Sequence, residues 1–219
     1  CSKISDKTPR KELIDDFGKE GQIGRRVLGI AFKKILSYSG DEKNYAITQD
    51  DEKNLNFLGY FVFEDPLKET AEEAIKLAKK LGVRIKIITG DSKEVASHLA
   101  KKIKLIVNLK EAVSGHELEE MSPDEFDQTC EDMDVFARIP PQLKYKIVKS
   151  LQKHHDVGFL GDGVNDAPAL KIADVGIAVE SSADISKEVS DVVLLKKDLR
   201  VIVEGIEAGR NIFANINKY

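Results

Sequence analysis

The chain has 219 residues, 42% of them hydrophobic and 33% charged, which is typical of a globular protein with a full core. A net charge of −4 excludes a general electrostatic attraction to nucleic acid or to an acidic membrane surface. The only cysteines, Cys1 and Cys130, lie far apart and lack ligand spacing, so the sequence favours a reducing compartment without a zinc site.

The first 58 residues are predicted to form part of an α+β unit. Thr8-Pro9 can start a helix over 10–20, and the apolar run 27–32 is typical of a strand. Residues 39–56 are rich in Asp, Asn, Lys and Gln, which predicts a surface hairpin or loop. Because this segment has few apolar residues, it makes a poor domain by itself.

Strands and helices then alternate to the end of the chain. Strands are predicted at 58–63, 83–88, 105–107, 135–137, 157–160, 175–179 and 191–195. Helices are predicted at 68–81, 92–102, 141–154, 167–173, 182–189 and 198–219, with two short solvated helices in the acidic stretch 114–134. The alternation predicts an α/β fold with a doubly wound parallel sheet that is covered on both faces. The strand 58–63 is predicted to be the first strand of this sheet. No uncharged apolar run reaches the roughly 18 to 20 residues that span a bilayer, so we expect a soluble chain.

The segment from Gly161 to Pro168 follows a strand that is expected to be buried. Two glycines flank Asp162 and permit a tight bend, which brings Asp166 close enough to share one hard cation with it. Ligands of α/β folds bind at this end of the strands. The alternative is a plain turn in which Asp166 caps the next helix, and the length of the motif favours a Mg²⁺ site instead.

A second loop, Thr89-Gly90-Asp91, ends the strand at 83–88. Its hydroxyl and glycine amide suit phosphate oxygens. In the alternative, Asp91 is the N-cap of the next helix and forms a capping box with Glu94 three residues later. Both interpretations can hold because a cap leaves the Thr89 hydroxyl free.

Lys144 is predicted to lie on the buried side of its own helix. At about 100° per residue, the apolar side chains of the helix fill an arc of roughly 140° that includes Lys144. An ammonium group there needs an anionic partner or a path to water, and a phosphate or aspartyl phosphate would supply the anion.

Three further residues have open interpretations. Asp65 ends the strand at 58–63, where it could act as a nucleophile toward a phosphoryl group, although Asp65-Pro66 is more typical of a hinge. Arg26 and Arg138 could contact phosphates or could be surface residues, and the sequence favours neither interpretation over the other.

Four motifs together resemble the phosphorylation domain of P-type cation-transporting ATPases, in the same order and at fitting intervals. They are residues 65–69, 88–91, 135–144 and 161–170, the last followed by the run 173–179. Residues 24–31 are similar to the end of the nucleotide-binding domain of that family. The resemblance therefore covers nearly the whole chain, and it implies a haloacid-dehalogenase-like, Rossmannoid fold.

The resemblance implies specific roles around a phosphoryl group. Thr89, in a motif with Gly90 and Asp91, holds the group, and Lys144 neutralises it. Asp162 ligates Mg²⁺. Asn165, Asp166 and Gly163 belong to the same phosphate and metal loop.

By the same resemblance, Arg26 contacts the phosphates of ATP, Asp65 lies at the hinge between domains, and Arg138 belongs to the nucleotide side of the site. The implied cofactors are Mg²⁺ and ATP, and no nucleic acid is expected as a partner. In the family, ATP phosphorylates an aspartate, and hydrolysis of the aspartyl phosphate drives the movement of a cation.

The nucleophilic Asp-Lys-Thr-Gly-Thr of the family does not occur in these 219 residues. The run Asp6-Lys7-Thr8-Pro9 matches the first three residues of that motif. Proline replaces the glycine at the fourth position, and no apolar strand precedes the run. We therefore expect the end of a nucleotide-binding domain at 1–58, a phosphorylation domain at 59–198 and the start of a stalk helix at 199–219. Such a chain is expected to be inactive without the rest of the ATPase, including its transmembrane helices.

The segments 182–188 and 213–215 most resemble the magnesium-importing branch, with calcium and proton pumps as alternatives. The expected location is the cytoplasmic domain of an integral membrane protein. Two other functions stay open: a small-molecule phosphatase that uses Asp65, and a non-catalytic module that binds a nucleotide or a partner.

Overall fold

The computed structural model describes residues 10–34, 48, 51–64, 70–107, 112–196, 198–216 and 218. The chain divides into two compact units, Cys1–Asp65 and Pro66–Tyr219. How these units correspond to the domains expected from the sequence, with boundaries at 58 and 198, stays a prediction.

The first unit consists of one helix and a two-stranded antiparallel sheet. Helix α1 spans Arg10–Gln22, and strands β1 and β2 span Arg26–Phe32 and Asn56–Phe63. The strands pair antiparallel, and the ring of Phe17 in α1 meets Tyr60 of β2 edge to face at 5.1 Å. The prediction that the strand at 58–63 opens the parallel sheet is therefore wrong, because its apolar pattern marks a strand without identifying its partner.

The second unit alternates strands and helices. Its helices are α2 (Thr70–Lys80), α3 (Lys93–Lys102), α4 (Gly115–Glu119), α5 (Pro123–Asp132), α6 (Pro141–Leu151), α7 (Ala167–Ile172), α8 (Asp184–Glu188) and α9 (Arg200–Ile216). Its strands are β3 (Ile87–Ile88), β4 (Ala112–Ser114), β5 (Val135–Ala137), β6 (Gly158–Gly161), β7 (Val175–Val179) and β8 (Val192–Leu194).

All strand pairs of the second unit are parallel, which confirms the predicted α/β class. The strands form two three-stranded sheets, in the orders β3-β5-β4 and β6-β7-β8. Among the described residues, β3 pairs only with β5 and β6 only with β7, so each sheet has an unpaired edge. The side chain of Ile88 in β3 packs against the core cluster that contains Phe159 of β6, so both edge strands border the same core.

Two predicted strands differ from the structure. Only the last two residues of the strand predicted at 83–88 pair, because the partner strand β5 itself begins at Val135, opposite Ile87. The strand predicted at 105–107 is absent. Leu105 and Ile106 are buried against the core at the end of α3, and the pairing strand is Ala112–Ser114. The two short helices expected in the acidic stretch are confirmed as α4 and α5.

The core surrounds β5, whose residues Val135, Phe136 and Ala137 have no exposed surface. Helices α2 and α3 supply one apolar cluster beside it, and α4 to α6 supply another. The sheet of β6 to β8 is covered less completely than predicted. On one of its faces Leu160, Val175 and Val192 are each about 40% exposed. Among the described residues, no helix is long and apolar enough to cross a membrane.

Candidate phosphate and magnesium site

A cavity of about 350 Å³ lies at the carboxyl ends of four strands of the second unit. It is lined by the ends of β3, β6, β7 and β8 and by the first turn of α6. The predicted site residues that line it are Thr89, Gly90, Lys144, Asp162 and Asp166. Residues far apart in the sequence therefore meet at the sheet edge where α/β folds bind their ligands.

Backbone hydrogen bonds to the extension of β5 hold the Thr89 loop. The Thr89 N–H donates to the carbonyl of Phe136 at 2.9 Å, and the Thr89 carbonyl accepts from the N–H of Ile139 at 2.9 Å. The Thr89 hydroxyl oxygen accepts from the N–H of Asp91 at 3.1 Å. Its own hydrogen meets no acceptor within the described part of the chain, so the hydroxyl can donate to a ligand in the cavity.

The interpretation of Asp91 as a helix cap is wrong. Ser92 is the N-cap of α3, and its hydroxyl accepts from the N–H of Val95 at 3.4 Å. The Asp91 carbonyl instead accepts from the N–H of Arg138 at 2.8 Å, which ties the two loops together. Asp91 is not among the residues that line the cavity.

Arg138 has a left-handed backbone, with φ of 52°, which is unusual for a residue with a side chain. Its carbonyl packs tightly on the start of α4, where a Cβ added to Gly115 would lie 2.5 Å from that oxygen. The Arg138 side chain is exposed and does not line the cavity. The structure therefore assigns this residue a backbone contribution to the loop, and its predicted contact with a nucleotide stays a prediction.

Lys144 and Asp166 form the most buried ion pair of the site. Lys144 Nζ donates to Asp166 Oδ1 at 2.6 Å, with 15% and 11% of the two side chains exposed. The anionic partner that the sequence required for this lysine is thus present inside the protein. Among the described residues Lys144 Nζ makes no other hydrogen bond, so two of its three ammonium hydrogens remain for a ligand in the cavity.

The loop after β6 is compact because two glycines bring the backbone close to Asp166. A Cβ on Gly161 would lie 2.7 Å from the Cβ of Asp166, so a side chain does not fit there. The N–H of Gly163 donates to Asp166 Oδ2 at 3.4 Å, and residues Val164–Asp166 form a 3₁₀ turn that leads into α7. Asp166 occupies the N-cap position of α7, as the alternative interpretation expected, but its side chain makes no capping hydrogen bond to that helix.

Asp162 occupies the exposed side of the same loop. Its carboxylate has no hydrogen-bond or ion-pair partner among the described residues, although it lines the cavity beside Asp166. Asn165 is also exposed, and neither Asn165 nor Gly163 lines the cavity. The roles predicted for these two residues stay predictions.

The oxygen atoms at this edge fit Mg²⁺. Two carboxylates, from Asp162 and Asp166, face one cavity, and Mg²⁺ is commonly held by one or two carboxylates together with water and substrate phosphate. No cluster of three or more His, Cys, Asp or Glu that could hold a metal occurs within the described ranges. A site that depends on a phosphate to complete the coordination fits this arrangement better than a cage made by the protein alone.

Two charged residues of the cavity were missed by the sequence analysis. Lys196 and Asp198 line it from the chain after β8. Asp198 pairs with Arg200 at 2.7 Å, and hydrogen bonds from that guanidinium group lower the pKa of Asp198 to about 2. Both residues follow the carboxyl end of a predicted strand, as Thr89 and Asp162 do, so the same sequence signal marked them as candidate site residues.

Two predicted site residues lie elsewhere. Arg26 begins β1 in the first unit and is exposed. Asp65 lies outside the described residues. The structure therefore leaves their predicted roles in ATP binding and at the hinge as predictions.

Parallel strands, a hydroxyl, a buried ammonium group and two carboxylates at one sheet edge are typical of α/β proteins that handle phosphoryl groups with a divalent metal. A family model described as haloacid dehalogenase-like hydrolase matches residues 3–174. The chain belongs to this family.

The predicted resemblance to P-type ATPases is confirmed. The chain is 42% identical over 215 residues to a magnesium-transporting ATPase, P-type 1, of Salmonella typhimurium strain LT2, covering 96% of this chain and 23% of that protein. It is 40% identical to the protein of the same name in Escherichia coli K12, with 95% and 22% covered. It is 37% identical to calcium-transporting ATPase 1 of Lactococcus lactis IL1403, with 99% and 24% covered. The chain thus spans about a quarter of the length of these relatives.

Proposed function

We propose that this chain forms the phosphoryl-handling part of an ATP-driven cation transporter, and that its cavity holds an aspartyl phosphate together with Mg²⁺. The observation that carries the proposal is the convergence of Thr89, Lys144, Asp162 and Asp166 on one cavity. In this proposal the Thr89 hydroxyl and the two free Lys144 hydrogens donate to phosphoryl oxygens. Asp162 and Asp166 hold Mg²⁺, which when bound offsets negative charge on the phosphoryl group.

The proposal requires a nucleophilic aspartate, and each described aspartate at the cavity already has another role or partner. Asp162 and Asp166 are assigned to Mg²⁺, and Asp198 pairs with Arg200. We infer that the aspartate comes from a segment of the whole protein outside these 219 residues, on a strand between β3 and β6. The unpaired edges of these two strands support this inference, as do their carboxyl ends, which line the same cavity. Leu160 of β6, which is 40% exposed, offers apolar surface to such a strand.

The larger setting of the site is also a proposal. We infer that ATP is the phosphoryl donor, that Arg26 contacts its phosphates, and that the chain lies on the cytoplasmic side of a membrane protein. Two of the relatives described above are named as magnesium transporters at 42% and 40% identity, and one as a calcium transporter at 37%. Because the two magnesium transporters are more similar to this chain than the calcium transporter is, we propose Mg²⁺ as the transported cation. Uptake of Mg²⁺ by vesicles that contain the whole protein tests this point, and uptake of Ca²⁺ alone would contradict it.

Phosphorylation from labelled ATP and Mg²⁺ tests the proposed chemistry. The 219-residue chain alone is expected to remain unlabelled, whereas the whole protein acquires acid-stable label. Asp162→Asn in the whole protein is expected to lower that label at least tenfold, because removal of a metal-binding carboxylate weakens stabilisation of the transferred phosphoryl group. Asp184→Asn is the matched control, since the Asp184 side chain is fully exposed on α8 and pairs only with Lys187 in the described structure. Acid-stable label on the isolated chain, or equal labelling of the Asp162→Asn variant, would contradict the proposal.

A further inference from the structure

Three successive carbonyls of the loop after β6 accept hydrogen bonds from a single short segment, 182–186. The donors are two serine hydroxyls and one backbone N–H. The bonds are Ser182 Oγ to the Gly161 carbonyl at 3.5 Å, the Ala183 N–H to the Asp162 carbonyl at 3.3 Å, and Ser186 Oγ to the Gly163 carbonyl at 2.9 Å. Hydrogen bonds from this segment therefore restrain the backbone of the first part of the loop, at Gly161, Asp162 and Gly163.

Both serines are buried, with 5% of Ser182 and none of Ser186 exposed. A buried hydroxyl needs a partner, and apart from the Gly163 carbonyl no other hydrogen bond of Ser186 Oγ exists among the described residues. The Ser182 hydroxyl oxygen accepts from the N–H of Val179 at 3.0 Å, which turns its hydrogen toward Gly161. Packing alone does not require a hydroxyl at either position, since alanine would fill nearly the same volume.

The bond from Ser186 acts at the point where the loop turns back toward Asp166. The Gly163 carbonyl also accepts from the N–H of Asp166 at 2.9 Å, and this bond closes the 3₁₀ turn. Fixing the Gly163 carbonyl therefore fixes the direction from which Asp166 approaches the cavity. The bond from the Ala183 N–H to the Asp162 carbonyl restrains the backbone of the residue that carries the other carboxylate.

We propose that Ser182 and Ser186 are positioning residues that hold Asp162 and Asp166 at the spacing needed to share one metal ion. This inference rests on the proposed function, because it assigns the serines to the Mg²⁺ site proposed above. Groups that orient metal ligands commonly change metal affinity about 10- to 100-fold when they are removed. A role in folding alone would lower stability without changing the affinity of the folded protein.

Metal binding by the purified chain separates these two roles. Mn²⁺, whose binding is followed by electron paramagnetic resonance, is titrated into the wild type and into Ser182→Ala, Ser186→Ala and Ser190→Ala. Ser190→Ala is the control, because the Ser190 hydroxyl donates to the Lys187 carbonyl and, within the described part of the chain, makes no hydrogen bond to the loop. Urea unfolding of each variant, with and without Mg²⁺, measures stability separately from affinity.

We expect Ser186→Ala to bind Mn²⁺ about 10-fold more weakly than the wild type, and Ser182→Ala to show a smaller loss because its bond is longer. Ser190→Ala is expected to bind like the wild type. If Ser186→Ala and Ser182→Ala both bind like the control, the positioning role is wrong while the metal site stands. If the wild type does not bind at Asp162 and Asp166, the proposed function itself fails and this inference with it. If Ser186→Ala does not fold, Ser182→Ala decides the outcome.

Discussion

Lys144 and Asp166 lie 22 residues apart in the sequence and meet at 2.6 Å between Nζ and Oδ1, on the inner wall of the cavity. The pair joins α6 to the loop after β6, so it links the core of the second unit to the site. Because both side chains are largely withdrawn from water, loss of either one leaves a buried charge without its partner.

Removing both members of this pair is expected to cost less stability than the sum of the two single removals. Lys144→Met leaves the Asp166 carboxylate buried without its partner, and we expect a loss of about 3 kcal/mol in the free energy of unfolding. In the double variant Lys144→Met/Asp166→Asn neither charge remains, so the loss is expected to be smaller than the sum of the two single losses. Urea unfolding of all four proteins measures the coupling.

Lys146→Met is the control for this cycle, because Lys146 lies on the exposed side of the same helix. It is expected to change stability by less than about 0.5 kcal/mol. Additive losses in the cycle would show that the two charges do not depend on each other.

A glycine of β7 is expected to tolerate no side chain. A Cβ on Gly176 would lie 2.5 Å from the carbonyl oxygen of Leu170, which is helix backbone and cannot move aside cheaply. We expect Gly176→Ala to destabilise the second unit by about 2 kcal/mol, since overpacking forces the backbone to shift.

Gly205→Ala provides the opposite case. Gly205 lies inside α9, and a Cβ there meets no atom within 4 Å. The substitution is expected to stabilise the helix by about 1 kcal/mol, because alanine is the better helix former. Thermal unfolding that moves in the same direction for both variants would contradict the packing described for β7 and α7.

The N-terminus of α4 predicts a specific dependence on pH. Ser114 and Glu117 form a capping box, and hydrogen bonds from the Ser114 hydroxyl and N–H, with Lys93 nearby, lower the pKa of Glu117 to about 2. Because the folded pKa is below the ordinary value, this contribution to stability is complete above about pH 4.5 and is lost as the pH falls toward 2.

Ser114→Ala is expected to cost about 1 kcal/mol at pH 7, and to show a smaller further loss than the wild type between pH 4.5 and 2. Urea unfolding at a series of pH values measures both effects. Glu119→Gln, on the same helix, is the control and should leave the pH dependence unchanged. An identical acid dependence in Ser114→Ala and the wild type would count against the capping box.

Cys130 is expected to resist thiol reagents while the protein is folded. The residue has no exposed surface, and burial raises the pKa of its thiol to about 11, so the reactive thiolate is scarce at pH 8. In a Cys1→Ser variant, alkylation by iodoacetamide should be slow in buffer and fast in urea. Rapid alkylation of the folded variant would contradict the burial of this side chain.

The sequence predicted the site better than it predicted the pairing of strands. Thr89 and Asp162 could be placed at one edge because each follows the end of an apolar strand. Lys144 was predicted to need an anionic partner because it lies on the buried side of its helix, and neither inference needs knowledge of strand order. The sequence could not place β2, because antiparallel pairing with β1 depends on contacts distant in sequence. It also missed Ala112–Ser114, a strand of three residues that is too short to produce a recognisable period.

The contribution of Ser182 and Ser186 was invisible in the sequence for a different reason. Serine in a short helical segment is ordinary, and only the positions of the carbonyls of Gly161–Gly163 give the two hydroxyls a function. Lys196 and Asp198, in contrast, carried a signal that could have been used, since they follow the last predicted strand of the sheet.

Paramagnetic relaxation by Mn²⁺ in nuclear magnetic resonance spectra of this chain tests the central claim most directly. With inorganic phosphate present, we expect selective broadening of the amide signals of residues 89–90 and 161–166, and loss of that broadening in Asp162→Asn but not in Asp184→Asn. Broadening centred on the acidic helices α4 and α5, or broadening that Asp162→Asn leaves unchanged, would contradict a shared site for the metal and the phosphoryl group at this sheet edge.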